Sequence, residues 1–228
     1  MRNCVWCHEE IHAALHWKNV FVPEQKQCLC DSCENNLKKT GHEICVTCSK
    51  TSLTKQCFDC ERWQKKYKNQ DPLVKNISVF EYNHFIKEIV TKWKYRGDYE
   101  MGFAFQSVFK QTFQTNFKKM SSSPDIVPIP LSAERIQHRA FNQAEMLAGF
   151  LTRDIKQYFI RTQGEKQSKR NRKERLASAN PFILRQTVNN PVVLVDDIYT
   201  TGRTLRHAAE LLRKAGCPYV YAYTLIRG

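Results

Sequence analysis

Nine of the ten cysteines of this 228-residue chain fall within its first sixty residues, and eight of the nine form four Cys-x-x-Cys pairs. The pairs are Cys4/Cys7, Cys30/Cys33, Cys45/Cys48 and Cys57/Cys60, with Cys28 beside the second pair and Cys217 far away. Each such turn presents two sulfurs to one metal ion, and a second turn closes a tetrahedron. Metal binding then supplies folding energy to a segment too small to build a core of its own. Met1–Val20 is rich in His, Glu and Cys without a continuous apolar run, so it does not read as a secretory leader. A cytoplasmic location is the expectation, and in that reducing setting such thiols bind metal rather than form disulfides.

Sequential pairing assigns Cys4, Cys7, Cys30 and Cys33 to one structural zinc and Cys45, Cys48, Cys57 and Cys60 to another. Eight residues separate the two turns of the second set, which makes a tight ribbon, whereas the first set spans a longer insert holding His8, His12 and His16. Those histidines recur every four residues and would form one stripe on a helix, so a histidine in place of a cysteine stays open, as does a crossed pairing. His42 reads as a surface residue. With four cysteines to each ion no coordination position remains open, which argues against zinc catalysis.

The organisation expected from these shifts is a zinc module over residues 1–62, a basic connector over 63–75 and a larger domain over 76–228. No run approaches the roughly 18 apolar residues of a membrane span. In the larger domain, strands are expected at Ser78–Asn83, Asp125–Ile129, Val192–Val195 and Tyr219–Leu225. Helices are expected from Phe85 to near Gly97, then at Met101–Lys119, Asn142–Lys156 and Thr204–Ala215, the last stopped by Gly216 with Pro218 beyond. The stripe Phe105, Phe109, Phe113 and Phe117 reads as core. Alternating strands and helices predict an α/β fold with a parallel sheet, and ligands bind such sheets outside the carboxyl ends of the strands.

The stretch Val192 to Thr204 carries chemistry at every step. Four apolar residues bury a strand and bring Asp196 and Asp197 to its end, where carboxylates accept hydrogen bonds from paired ribose hydroxyls. The turn Thr200-Thr201-Gly202-Arg203-Thr204 then opens a helix, so backbone amides, hydroxyls and the helix dipole converge on an anion, expected to be a 5'-phosphate. With Tyr199 before it, this stretch resembles the 5-phosphoribosyl-1-pyrophosphate (PRPP) motif of type I phosphoribosyltransferases.

A second block, Val127-Pro128-Ile129-Pro130-Leu131-Ser132 followed by Arg135 and His138-Arg139-Ala140-Phe141-Asn142-Gln143-Ala144, resembles the ComF family of competence proteins. That family usually reads Arg-Gly-Phe-Asn-Gln here. Ala140 replaces the glycine, which narrows backbone freedom if the position needs a positive φ. The four-pair N-terminus, Lys94-Tyr95-Arg96-Gly97-Asp98, Lys166-Gln167-Ser168 and the closing Thr224-Leu225-Ile226-Arg227 agree, so the resemblance spans nearly the whole chain.

The resemblance implies a type I phosphoribosyltransferase-like parallel sheet with helices on both faces. It also implies a pyrophosphate-holding loop at Pro130–Arg139, with Ser132, Arg135 and Arg139 as candidate contacts, and Mg accompanying PRPP if the site is active. The formal charge of +14 favours polyanions by counterion release. The basic stretch Arg161–Arg175, which holds Arg161, Lys166, Lys169, Arg170, Arg172, Lys173 and Arg175, suits either a loop closing over PRPP or a track for the backbone of single-stranded DNA. Two functions follow as expectations. One is a competence factor that binds incoming single-stranded DNA, works with a competence helicase or translocase at the periphery of the uptake machinery, and senses a ribose phosphate. The alternative is a Mg-dependent phosphoribosyltransferase in which Asp196 and Asp197 stabilise positive charge developing near the ribose; no residue can be nominated to read a base.

Overall fold

The computed structural model describes residues 3–11, 27–41, 43–95, 98–118, 120, 122–162 and 180–228. His12, His16 and His42 lie outside them, as do Arg96 and Gly97 and the basic residues Lys166, Lys169, Arg170, Arg172, Lys173 and Arg175. The domain is organised on four parallel strands: β1 (Asn76–Glu81), β2 (Asp125–Pro128), β5 (Val192–Tyr199) and β6 (Val220–Arg227), in the order β1-β6-β5-β2. A separate antiparallel hairpin pairs β3 (Phe159–Arg161) with β4 (Phe182–Leu184). Among the described residues no helix is long and apolar enough to cross a membrane.

Strand β5 is apolar on both sides because it is covered on both sides. Side chains alternate across a strand, and here Val193 and Val195 enter one hydrophobic cluster while Val192 and Leu194 enter the other. The first cluster is closed by α3 (His84–Tyr95), α4 (Gln106–Phe117) and α6 (Gln143–Leu151); the second by α7 (Arg203–Lys214) and the hairpin. Phe105 and Phe109 are fully buried, and Phe109 packs against Tyr223 of β6 with ring centroids 4.3 Å apart, so the phenylalanine stripe is core.

Three stretches differ from the periodicity reading. Residues Tyr99–Phe105 wind as a 3-10 helix before α4 begins. Gly102 accounts for the tight approach there, since a Cβ would stand 2.5 Å from the Met146 thioether and 2.9 Å from Trp93 Nε1. Helix α6 stops at Leu151 because Thr152 is extended, and the chain returns to bridge Ile155 to Ile126 at the sheet edge. The expected loop Pro130–Arg139 contains a short helix, α5 (Ala133–Arg139), whose Ser132 side chain accepts the Arg135 amide.

Ala140 ends α5 in the left-handed region, with φ 65°. That conformation costs an L-residue about 1–2 kcal/mol and glycine far less. Ala140→Gly is therefore expected to raise the unfolding free energy by about 0.5–1 kcal/mol, the glycine's larger unfolded-state entropy taking back part of the gain. Urea denaturation checks this, and a destabilised variant would contradict it.

The cysteine modules pack onto the sheet domain at two places. In the first, which includes α1 (Asp31–Asn35), Lys39 bridges Phe80 antiparallel and the Thr40 amide donates to the Val79 carbonyl at 2.9 Å, covering the β1 edge. In the second, Ser49 Oγ donates to the Asn76 carbonyl at 2.9 Å and the Asn76 amide to the Thr47 carbonyl at 2.8 Å. Helix α2 (Phe58–Lys66) leaves this module towards α7, with Trp63 buried beside Arg206 and the Tyr67 hydroxyl donating to Glu210.

Candidate functional site

Two groups of four cysteines are brought together: Cys4, Cys7, Cys30 and Cys33, and Cys45, Cys48, Cys57 and Cys60, with all sulfurs of a group within 4.8 Å of one another. Metal–sulfur bonds of about 2.3 Å in a tetrahedron place sulfurs about 3.8 Å apart. Cys7 and Cys30 stand 3.6 Å apart and Cys48 and Cys57 3.7 Å, so both groups fit one tetrahedrally held ion. The pairing is sequential, and among the described residues no histidine stands in for a cysteine in either group. All but Cys7 are buried, as closed structural centres require.

The second site opens at the carboxyl edge of the sheet. Pro128 of β2 faces Val195, so β5 runs on past its neighbour and leaves the Asp196–Tyr199 edge uncovered on that side. A cavity of about 350 Å³ fills the gap. Asp196 and Asp197 lie within β5 rather than beyond it, and as successive residues they face opposite sides of the sheet. Both reach the cavity, which straddles the strand end.

Asp197 turns towards α3 and forms an ion pair with Lys94. Burial opposes its charge, but the Lys94 ammonium and the more distant Arg139 hold its carboxyl below the usual carboxylate range. Asp196 turns the other way, towards Arg161. Burial and the adjoining Asp197 carboxylate push Asp196 up to about 7, against the pull of the Asp197 amide, Lys94 and Arg161. The pair thus holds one fixed negative charge and one that titrates near neutrality.

Across from the acids stand Arg135 and Arg139 of α5 and Arg161 of β3, whose guanidinium donates to the Pro130 carbonyl at 3.3 Å. Burial and then the nearby Arg135 pull the Arg161 pKa down, the mark of a cationic wall. With Lys94 and Arg203, five basic side chains meet two carboxylates around the cavity, a charge balance suited to a phosphorylated ligand. His207 of α7 also lines it; burial and Arg203 pull its pKa down to about 4, so it is neutral at physiological pH.

The turn after β5 completes the site. Thr200, Thr201, Arg203 and Thr204 line the cavity, and Gly202 begins α7 with φ 72°. A Cβ on Gly202 would lie 2.1 Å from Tyr199 Oη and 2.4 Å from Arg206 Nη1, so only glycine fits both the conformation and the space. Tyr199 and Ser132 do not line the cavity. Tyr199 is buried beneath the turn with its hydroxyl accepting from Arg206 at 2.7 Å, and Ser132 caps α5.

Lys94, Arg161 and His207 join the cavity without having been singled out as site residues from the sequence. For Lys94 a signal existed: it follows Val90 by four residues and Trp93 by one, placing a lysine on the apolar stripe of α3. Arg161 was read only as the first charge of the basic stretch, and for His207 no local pattern points inward.

Residues 136–228 match the phosphoribosyl transferase domain model. The whole chain is 40% identical to the competence protein ComFC of Bacillus subtilis (strain 168), over 98% of this chain and 94% of that one. The chain belongs to the ComFC family. A second ComFC protein, from Streptococcus pneumoniae, is 32% identical over 98% of this chain and 99% of its own. The DNA utilization protein YhgH of Salmonella typhimurium is 27% identical over 87% of this chain and 96% of its own. In this ComFC-family chain the match to the transferase domain begins within α5 and takes in both acids, the threonine turn and α7.

Proposed function

We propose that this protein is a cytoplasmic factor of natural transformation that handles incoming single-stranded DNA and carries a binding site for PRPP or a related ribose phosphate. The observation that carries the ligand reading is the meeting, in one cavity, of the Asp196/Asp197 pair, the Thr200–Thr204 turn at the start of α7 and the Arg135/Arg139/Arg161 wall. The acids suit a ribose diol, the turn a 5'-phosphate, and the arginines a second phosphate group. Mg would accompany PRPP in such a site, and zinc is the ion suited to the two cysteine groups. The names of the relatives and the formal charge of +14 support the DNA role. Lys166, Lys169, Arg170, Arg172 and Lys173 are its proposed contacts, and a competence helicase or translocase its proposed partner.

Among the described residues Tyr95 is the one aromatic ring of Phe, Tyr or Trp type lining the cavity, and it is largely exposed beside Arg139. A purine or pyrimidine sandwich is not assembled from these residues, which favours ligand binding over base transfer. An acid pair shaped for a cis-diol also disfavours DNA as its occupant, because DNA lacks the 2'-hydroxyl. Single-stranded DNA is accordingly assigned to a surface other than the cavity.

Isothermal titration with ribose 5-phosphate tests the site. Asp197→Asn is expected to weaken binding at least about tenfold, since a charge-assisted hydrogen bond contributes about 1.5–3 kcal/mol. Wild-type affinity is expected to rise between pH 6 and pH 8 as Asp196 loses its proton near 7 and becomes the stronger acceptor. The phosphate's own second ionisation near pH 6 contributes to any such curve. Asp196→Asn removes only the protein's share, so two superimposable profiles would refute the assignment. No binding by the wild type would reject the site.

A further inference from the structure

We propose that the second cysteine module is the mount of the phosphate turn, with Trp63 and Arg227 as positioning residues that aim the turn's amides at a 5'-phosphate. The inference rests on the ribose-phosphate reading above. Cys57 caps α2 and Cys60 lies in its first turn, three residues before Trp63 and so on the same face. Whatever fixes that cysteine group therefore fixes the indole.

Trp63 Nε1 donates to the Thr201 carbonyl at 2.9 Å, across 138 residues of sequence. Arg227 lies at the end of β6, opposite Tyr199 in the sheet register, and is buried. Its Nη1 donates to the Tyr199 and Thr200 carbonyls, each at 3.1 Å, while Nη2 stands 3.5 Å from the Cys48 sulfur. The Thr201 carbonyl is thus held by a donor of the module's own helix and the Thr200 carbonyl by a β6 arginine that touches a module sulfur, while the Tyr199 carbonyl also accepts from the Gly228 amide of the ladder at 2.9 Å.

In a trans peptide the carbonyl of one residue and the N–H of the next point in opposite directions. Holding the Tyr199, Thr200 and Thr201 carbonyls in these bonds turns the amides of Thr200, Thr201 and Gly202 the other way, to the side where Thr200 and Thr201 line the cavity. Successive inward amides make an anion-binding concavity. Released from Trp63 and Arg227, the Thr200 and Thr201 carbonyls could rotate inward and offer oxygen where the phosphate would sit, while the Gly228 amide keeps the Tyr199 carbonyl in the ladder. The module's role in the site is then to set backbone orientation, with no atom of its own on the ligand.

The test uses Trp63→Phe, which keeps an aromatic ring by Arg206 and removes the N–H together with part of the buried indole, with Arg227→Lys as a second variant that leaves the indole in place. Ribose 5-phosphate and inorganic pyrophosphate are titrated separately, because the second probes the arginine wall rather than the turn. Loss of one neutral hydrogen bond is expected to weaken ribose 5-phosphate about fivefold, with pyrophosphate affinity within twofold of wild type and zinc content unchanged. Hydrogen exchange of the peptide covering residues 199–204 is expected to quicken. Unchanged ribose 5-phosphate affinity, or an equal loss for both ligands, would overturn the proposal. If the wild type binds neither ligand, the ribose-phosphate reading fails by itself, and the exchange comparison still decides the mount: quickened exchange upholds it and unchanged exchange overturns it.

Discussion

Asp71→Asn is expected to cost about 3–5 kcal/mol of stability, because it strands a guanidinium that has no access to water. Arg206 is 0% exposed. Its Nε lies 3.1 and 3.0 Å from the two Asp71 carboxylate oxygens, and its Nη2 lies 2.7 Å from one of them. Nη1 donates to Tyr199 Oη at 2.7 Å, and the Trp63 ring lies 4.6 Å from the guanidinium carbon. Burial opposes the charge, but Tyr199 and Asp71 outweigh it and hold the pKa above the usual arginine value. Asparagine preserves the shape and removes the counter-charge. For a chain of this size the loss corresponds to a melting temperature lower by on the order of 10 °C. Adding Arg206→Met in the Asp71→Asn background should recover part of it, since the penalty belongs to an uncompensated charge and not to a missing contact. A drop below about 1 kcal/mol in the single variant would mean that water reaches Arg206.

The same arginine shows what local pattern could not reveal. Val192–Val195 announced a doubly covered strand because four consecutive apolar residues suit little else, and the acids and threonine turn behind it followed from chemistry at fixed spacing. The cysteine grouping was legible for the same reason: eight residues between two Cys-x-x-Cys turns leave little freedom. Trp63, Tyr67 and Asp71, by contrast, sit in a stretch that reads as a basic connector. Their partners Thr201, Glu210 and Arg206 are more than 130 residues away, and no periodicity encodes that separation. The β3–β4 hairpin escaped because three-residue strands carry too few alternations to register. Arg161 was legible only as one charge in a basic run, whereas β3 turns it onto the Pro130 carbonyl and into the cavity.

Cys60→Ser is expected to lower the zinc content from two equivalents per chain to one, and to do more damage than Cys7→Ser. Structural zinc in small cysteine modules supplies about 10–16 kcal/mol of apparent binding energy, which is folding energy for the segment that holds it. The two groups differ in what they support. The first packs with the cluster on the α3/α4/α6 face of the sheet, and its Cys7 is exposed at the rim. The second is buried throughout and shares the opposite cluster with Leu205, Ala208 and Leu212 of α7, the helix that begins at the threonine turn. A serine at position 60 offers a poor ligand at the start of α2, so the loss should spread along that helix to Trp63 and then to Thr201. Limited proteolysis is expected to cut the variant between residues 43 and 66 while leaving the sheet domain intact, and ribose 5-phosphate affinity should fall with it. Cys7→Ser should weaken one zinc and leave that affinity near the wild-type value. Two equivalents of zinc retained by Cys60→Ser, measured by elemental analysis, would reject the four-cysteine grouping, and equal loss of ligand affinity in both variants would show that the two modules are not separate supports.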